Sequence, residues 1–336
     1  MLKQIIGLIY IFALYIPNLI AQQEYPTHIT VALDGSGNYT TIQAAINSVR
    51  DLGEKQVIIH IKKGIYHEKI TVPSWKTNIS LIGEHPASTI ITGDDYSGKP
   101  VTSDRDSLGQ EKYSTFTSYT LLIQADGVVL ENLTIQNTAG RVGQAVALHI
   151  EGDRVEVRNC HILGNQDTLY TATAGSRQYY INCFIEGTTD FIFGEATCVF
   201  QYCTIKSLAD SYITAASQRK QQTFGYVFFD CKLIADNGVH KVYLGRPWRP
   251  YAKTVFIRCD LGRHITPEGW HPWPGDTMFP NKEKTASYAE YQNTGKGSDI
   301  VHRVAWSKQL TNKEIQAYTL EHIFSGTHPW LPVFRQ

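Results

Sequence analysis

One short pattern recurs along the middle of the chain and limits its possible folds more than any other feature. Five of the six cysteines stand in it: Val-Arg-Asn-Cys160-His-Ile, Tyr-Ile-Asn-Cys183-Phe-Ile, Phe-Gln-Tyr-Cys203-Thr-Ile, Phe-Phe-Asp-Cys231-Lys-Leu and Phe-Ile-Arg-Cys259-Asp-Leu. Val-Leu-Glu-Asn-Leu133-Thr-Ile is the same unit with leucine in place of cysteine, and successive spacings are 27, 23, 20, 28 and 28 residues. Each unit is apolar at period two and flanked by Gly, Asn and Asp, which signals short strands rather than helices. The abundance of Tyr (19) and Phe (13) over Met (2) points the same way. Imperfect repeats of this length predict a solenoid. Leucine-rich repeats are excluded because their Leu-x-x-Leu-x-Leu spacing is missing. A right-handed parallel β-helix fits, with one rung per turn and rungs about 4.8 Å apart.

In such a coil the five cysteines form an interior ladder of small buried thiols, not a disulfide framework. Cys198 and Cys203 are the one pair near enough in sequence to suggest a bridge. No Cys or His pair has zinc spacing, so no metal is expected. The ends of a solenoid need covering. Thr41 to Arg50 reads as an amphipathic helix with Ile42, Ala45, Ile46 and Val49 on one face, suited to the N-terminal end. Thr311-x-x-Glu314 reads as a capping box opening a second helix that runs to about Phe324 and stops at Gly326. The Pro-, Gly- and Trp-rich segment 262–298 reads as long loops laid along the coil.

Lys+Arg and Asp+Glu balance at 31 each, which excludes a nucleic-acid binder of the basic type. Residues 1–21 read as a secretory signal: Lys3, then an apolar run from Ile5 to Ile16 of 12 residues, too short to span a bilayer, then Pro17 and a cleavage candidate at Ala21. No later segment is apolar enough to cross a membrane. The expectation is a secreted or periplasmic protein whose residues 22–336 form a single catalytic domain, monomeric and free of the membrane after cleavage.

The repeat also serves as a ruler. Asp167 lies seven residues after Cys160, and Asp190 seven after Cys183, so their carboxylates should sit about one rung apart on one face. Asp210 shares the offset from Cys203 but lacks comparable surroundings and reads as a turn residue. Single aspartates in such places usually cap turns. Two in register cannot both ionise comfortably, so one pKa should rise, separating a nucleophile or base from an acid. Arg246, in Leu-Gly-Arg-Pro-Trp248, is a candidate to hold one of them ionised. This geometry alone suits a retaining glycosidase as well as an ester hydrolase. Ester cleavage needs donors for an oxyanion, and Gln144 and Gln166 are candidates, although a polar ladder stabilising the stack would use the same residues. There is no Gly-x-Ser-x-Gly elbow and no His-Glu-x-x-His.

Five blocks, in order, resemble the signatures of the pectin methylesterases (pectinesterases): Gly64-Ile-Tyr-His-Glu68, Gln144-Ala-Val-Ala-Leu148, Gly164-Asn-Gln-Asp-Thr-Leu-Tyr170, Asp190-Phe-Ile-Phe-Gly194 and Leu244-Gly-Arg-Pro-Trp248. Tyr288 to Gly295 is also similar to a family segment. The resemblance covers about residues 30 to 335. It implies a right-handed parallel β-helix, a pectin substrate (methylated polygalacturonate) and no cofactor. It further implies Asp190 as nucleophile, Asp167 as acid and then base, Gln144 and Gln166 as oxyanion hole, and Arg246 orienting Asp190. Trp248, Tyr170 and Phe193 would border sugar rings, and Thr120 would contact substrate. The chain departs from the family at Asn165, at Glu84-His-Pro-Ala and in a charged insert from Gly98 to Tyr113. Residues 22 to 30 are too few for an inhibitory pro-domain, so none is expected ahead of the catalytic region. A polygalacturonase or lyase on a similar coil, or a coil that only binds polysaccharide, are the rival readings.

Overall fold

Each turn of the chain is bent at the residue before the repeated cysteine. Asn132, Asn159, Asn182, Tyr202, Asp230 and Arg258 all take left-handed backbone conformations, with φ between 47 and 57°. Short polar side chains tolerate that region, which explains the Asn and Asp in four of the six; Tyr202 and Arg258 bear the strain for the sake of the register. One residue later the side chain turns inward, and all six cysteines are buried free thiols. Most of the ladder thiols donate weakly to two carbonyls, one on the preceding turn and one two residues back. Cys183 reaches Val157 and Ile181 at 3.3 and 3.4 Å, and Cys231 reaches Phe200 and Phe229 at 3.4 Å. A small side chain with a weak donor therefore suits the bend. Burial pushes the Cys160 thiol up to about 12.

These bends stack into the structure, a computed structural model that describes residues 25–102 and 105–333. The leader expected at 1–21 lies outside the described residues. The chain coils through three parallel sheets of 11, 8 and 7 strands among the described residues. One turn contributes Val155–Arg158, His161–Leu163 and Leu169–Thr171 to the three sheets in succession, and the next contributes Arg177–Ile181, Phe184–Gly187 and Ile192–Gly194. Pairing is in register from turn to turn, as the repeat predicts for a parallel β-helix. Inside, Tyr180, Phe200, Phe228 and Phe256 occupy one register position. Their rings stack at 4.6, 4.5 and 4.3 Å between centroids. Offset stacking adds to the burial of these large apolar surfaces.

The two ends are closed differently. At the N-terminal end the helix α1 (Ile42–Ser48) buries Ile42, Ala45 and Ile46, with Thr41 as its N-cap. Glu68 sets both carboxylate oxygens on the first helical amides, at 2.9 Å to Ile42 and 3.0 Å to Gln43, where the helix dipole favours an anion. The C-terminal helix differs from its expectation. The capping box between Thr311 and Glu314 forms, but extended Thr319 starts a second cap, so the segment splits into a 3-10 turn (Glu314–Ala317) and a helix α2 (Leu320–Ile323). Both pieces pack on the outer face of the largest sheet, where Ile323 and Phe324 cover Tyr179, Val199, Val227 and Val255. The C-terminal end of the coil is closed instead by the aromatic run Trp270, Tyr288 and Trp306.

Phe228 sits between two stacked rings, so Phe228→Ala should lower the unfolding free energy by about 3–5 kcal/mol, read by urea denaturation. A loss under about 1 kcal/mol would show that the ladder is loosely packed.

Candidate active site

The two aspartates lie where the coil enters its 7-stranded sheet. Leu169 pairs with Ile192, and two residues earlier the amide of Asp167 donates to the carbonyl of Thr189 at 3.1 Å while that of Asp190 donates to Tyr212 at 2.8 Å. Both take left-handed conformations, with φ of 63 and 50°. They are thus turn residues by backbone, but their carboxylates do not serve the turn. Asp210 provides the contrast: its carboxylate accepts from the amides of His240 and Lys241, as its turn reading predicts. Asp167 and Asp190 are instead held in a cleft, 8% and 6% exposed. Glycines in the flanking blocks let the backbone approach this closely. A Cβ on Gly194, at φ 126°, would lie 2.1 Å from the carbonyl oxygen of Thr171, and one on Gly245 would lie 2.0 Å from the hydroxyl of Thr214.

The carboxylates differ in their partners. Arg246, on the strand Tyr243–Pro247, grips Asp190 through both oxygens, Nε to Oδ1 at 3.0 Å and a terminal nitrogen to Oδ2 at 2.7 Å. Its guanidinium also lies 3.9 Å from the Tyr212 ring centroid and 3.6 Å from that of Trp273, so aromatic faces hold the fork flat against its partner. Burial raises the pKa of Asp190, and the hydrogen bonds and charge of Arg246 oppose that rise. Asp167 has no hydrogen-bonded cation among the described residues. Burial first, and then the charge of Asp190, push its carboxyl well above the ordinary range. Both carboxyls are pushed towards the protonated form, Asp167 the further of the two, while Asp190 alone is gripped by a cation.

A cleft of about 360 Å³ brings together Gln144, Gln166, Asp167, Asp190, Phe193, Arg246 and Trp248. Gln144 and Gln166 are bridged by their backbones on adjacent turns, and no protein partner takes up their side-chain amides among the described residues. Tyr170 stands beside the cleft, stacked on Phe193 at 4.5 Å and 11°, in a row that His149 extends at 4.5 Å from Tyr170. Thr120 is 1% exposed, and its hydroxyl donates inward to the carbonyl of Gln136 at 2.9 Å, so it stands behind the cleft wall in this structure. The wall near it is Thr115 and Phe116. Phe116 and Trp273 escaped the sequence reading. Phe116 sits in a single 3-10 turn (Thr115–Thr117) and Trp273 in a loop, and the only signal was the Trp-His-Pro-Trp-Pro run at 270–274, which does not reveal which tryptophan turns outward.

Comparison with known proteins gives a consistent picture. The family described as Pectinesterase matches residues 28–327. A probable pectinesterase/pectinesterase inhibitor (number 23) of Arabidopsis thaliana is 37% identical over 317 residues, covering 90% of this chain and 53% of that protein. The chain spans about half the length of the first such curated relatives. Among solved structures, a pectin methylesterase from carrot matches with a TM-score of 0.78 and 35% identity over 88% of this chain and 92% of that one. A pectin methylesterase in complex with a hexasaccharide matches with a TM-score of 0.75 and 27% identity, over 90% and 98% of the two chains.

The raised pKa of Asp167 has a consequence for stability. Below the ordinary carboxylate value of 3.8 both folded and unfolded chains hold this proton. As pH rises, the unfolded chain releases it first and stability is lost until the folded group titrates. Asp167→Asn removes this loss. The variant should melt higher than wild type at pH 7, with the difference shrinking below about pH 4. An equal or lower melting temperature at pH 7 would contradict the burial account.

Proposed function

The chain belongs to the pectinesterase family, and on that premise we propose that it hydrolyses the methyl esters of galacturonate units in pectin, releasing methanol. A carboxylate oxygen of Asp190 attacks the ester carbonyl carbon, and the developing oxyanion is held by the amides of Gln144 and Gln166. Asp167 gives its proton to the methoxy oxygen, the bond to carbon breaks, and methanol leaves an acyl-enzyme anhydride. Asp167, now ionised, takes a proton from water as that water attacks the acyl carbon. Collapse of the second tetrahedral intermediate expels Asp190 as a carboxylate and leaves a galacturonic acid group, which releases its proton to solvent. Arg246 aims Asp190 and favours its anionic form before attack and on its release. Trp248 and Phe193, with Tyr170 behind them, offer flat apolar faces to sugar rings.

The observation that carries this reading is the unequal pairing of the two carboxylates beside two uncommitted amides. The amides favour the esterase over a glycosidase or lyase, because cleavage between sugars creates no acyl oxyanion for them to hold. A wall polysaccharide as substrate places the enzyme outside the cytoplasm, in keeping with the leader read at residues 1–21. No helix among the described residues is long and apolar enough to cross a membrane.

The test is a joint assay of methanol and new reducing ends on methylated polygalacturonate. Methanol without reducing ends is expected; reducing ends or unsaturated products without methanol would refute the proposal. Asp190→Ala should lower kcat by at least about a thousandfold. Gln144→Ala and Gln166→Ala should each lower kcat by about a hundredfold or more with little change in KM. Near-wild-type turnover in either glutamine variant would remove that residue from the oxyanion site.

A further inference from the structure

The segment that brings Trp273 to the cleft is tied down by a buried cation. Lys282 has a side chain that is 0% exposed and pairs with Asp276 at 2.7 Å. Its ammonium also donates to the carbonyl of Trp248 at 3.3 Å and lies 4.4 Å from the ring centroid of Trp273. Asp276 uses its other oxygen on the amides of Met278 and Phe279, and the carbonyl of Lys282 accepts from Thr285 and Ala286. The loop is thus folded on itself around this one ion pair. The ammonium's other two contacts bear on the cleft. Trp248 and Trp273 both line it, and Trp273 is the ring that backs the guanidinium gripping Asp190.

We propose that Lys282 is a positioning residue for the esterase chemistry: by fixing Trp273 and Trp248 it holds Arg246 in its bidentate grip on Asp190, and its buried charge favours the anionic nucleophile. The inference rests on the esterase reading. A hydrophobic side chain would serve if the loop only needed packing, and burying an ammonium is costly unless its charge is used. Here the charge is used twice, on the ring of Trp273 and towards Asp190. The charged and titratable groups facing Asp190 are Asp167 on the preceding turn, Arg246 on the following one, Lys282 from the loop and Tyr288 from the interior, and Arg249 lies beyond Lys282. Burial dominates the state of Asp190, and among the charges Arg246 and then Lys282 oppose it.

Two substitutions of opposite sign test the assignment. Lys282→Met removes the cation, so the acid limb of kcat/KM should move to higher pH by about half a pH unit, with kcat lowered about tenfold as Arg246 loosens. Asp276→Asn removes the countercharge and leaves the lysine, so the limb should move to lower pH. Lys282→Arg should restore the limb of wild type. If Lys282→Met does not fold, Asp276→Asn and Lys282→Arg carry the test. A structural tether alone would lower the melting temperature of the variants without moving their limbs apart. Unmoved limbs, or limbs moved in the same direction, in enzyme that still releases methanol overturn this inference alone. Wild-type protein that releases no methanol overturns the esterase reading and this inference with it.

Discussion

Parallel pairing in register is the constraint on which everything else depends. It places any residue type that recurs at one position of the turn about 4.8 Å from its copies above and below. Along most of the coil this repetition is favourable. Thiols stack on thiols at the bends, and rings stack on rings inside. At the entry to the 7-stranded sheet the same rule sets one aspartate over another, which is unfavourable when both are charged and nearly buried. A rigid ladder gives them no way to separate. The conflict has to be resolved by protonation, and the surroundings decide which partner carries the proton.

Those surroundings are unequal by construction. Elsewhere buried acids are matched with cations: Glu290 with Arg303 at 2.7 Å, and Glu156 with Arg158. Asp190 receives the same treatment from Arg246, with tyrosine and tryptophan faces confining the guanidinium. Asp167 receives no such partner among the described residues. Leaving one carboxyl unmatched costs stability, and the same omission pushes it towards the protonated form. The coil supplies the aspartates and the arginine at fixed register; a loop folded around Lys282 and Asp276 supplies the tryptophan that completes the clamp.

Much of this could be read from the sequence because the coil is periodic. The cysteine spacing revealed the rungs, and the seven-residue offset then located Asp167 and Asp190. It could not by itself separate them from Asp210, which the structure shows serving a turn. Thr120 came only from the family resemblance, and no local period shows that its hydroxyl turns to a carbonyl inside the coil. Phe116, Trp273 and Lys282 were out of reach for a related reason. They lie in a loop and in single 3-10 turns whose course is set by contacts with distant turns, so no local period marks which way a side chain faces. The C-terminal helix failed by a single residue: Thr319 caps a new turn where a helix former would have let the first continue.

Two carboxyl groups one rung apart are expected to hold opposite protonation states near neutral pH. Infrared difference spectra of wild type against Asp167→Asn and against Asp190→Asn, recorded at about pH 6–7, address it directly. The carbonyl band of a protonated carboxylic acid should disappear in the first comparison and persist in the second. Loss of that band in Asp190→Asn alone, or no such band in wild type, would contradict it.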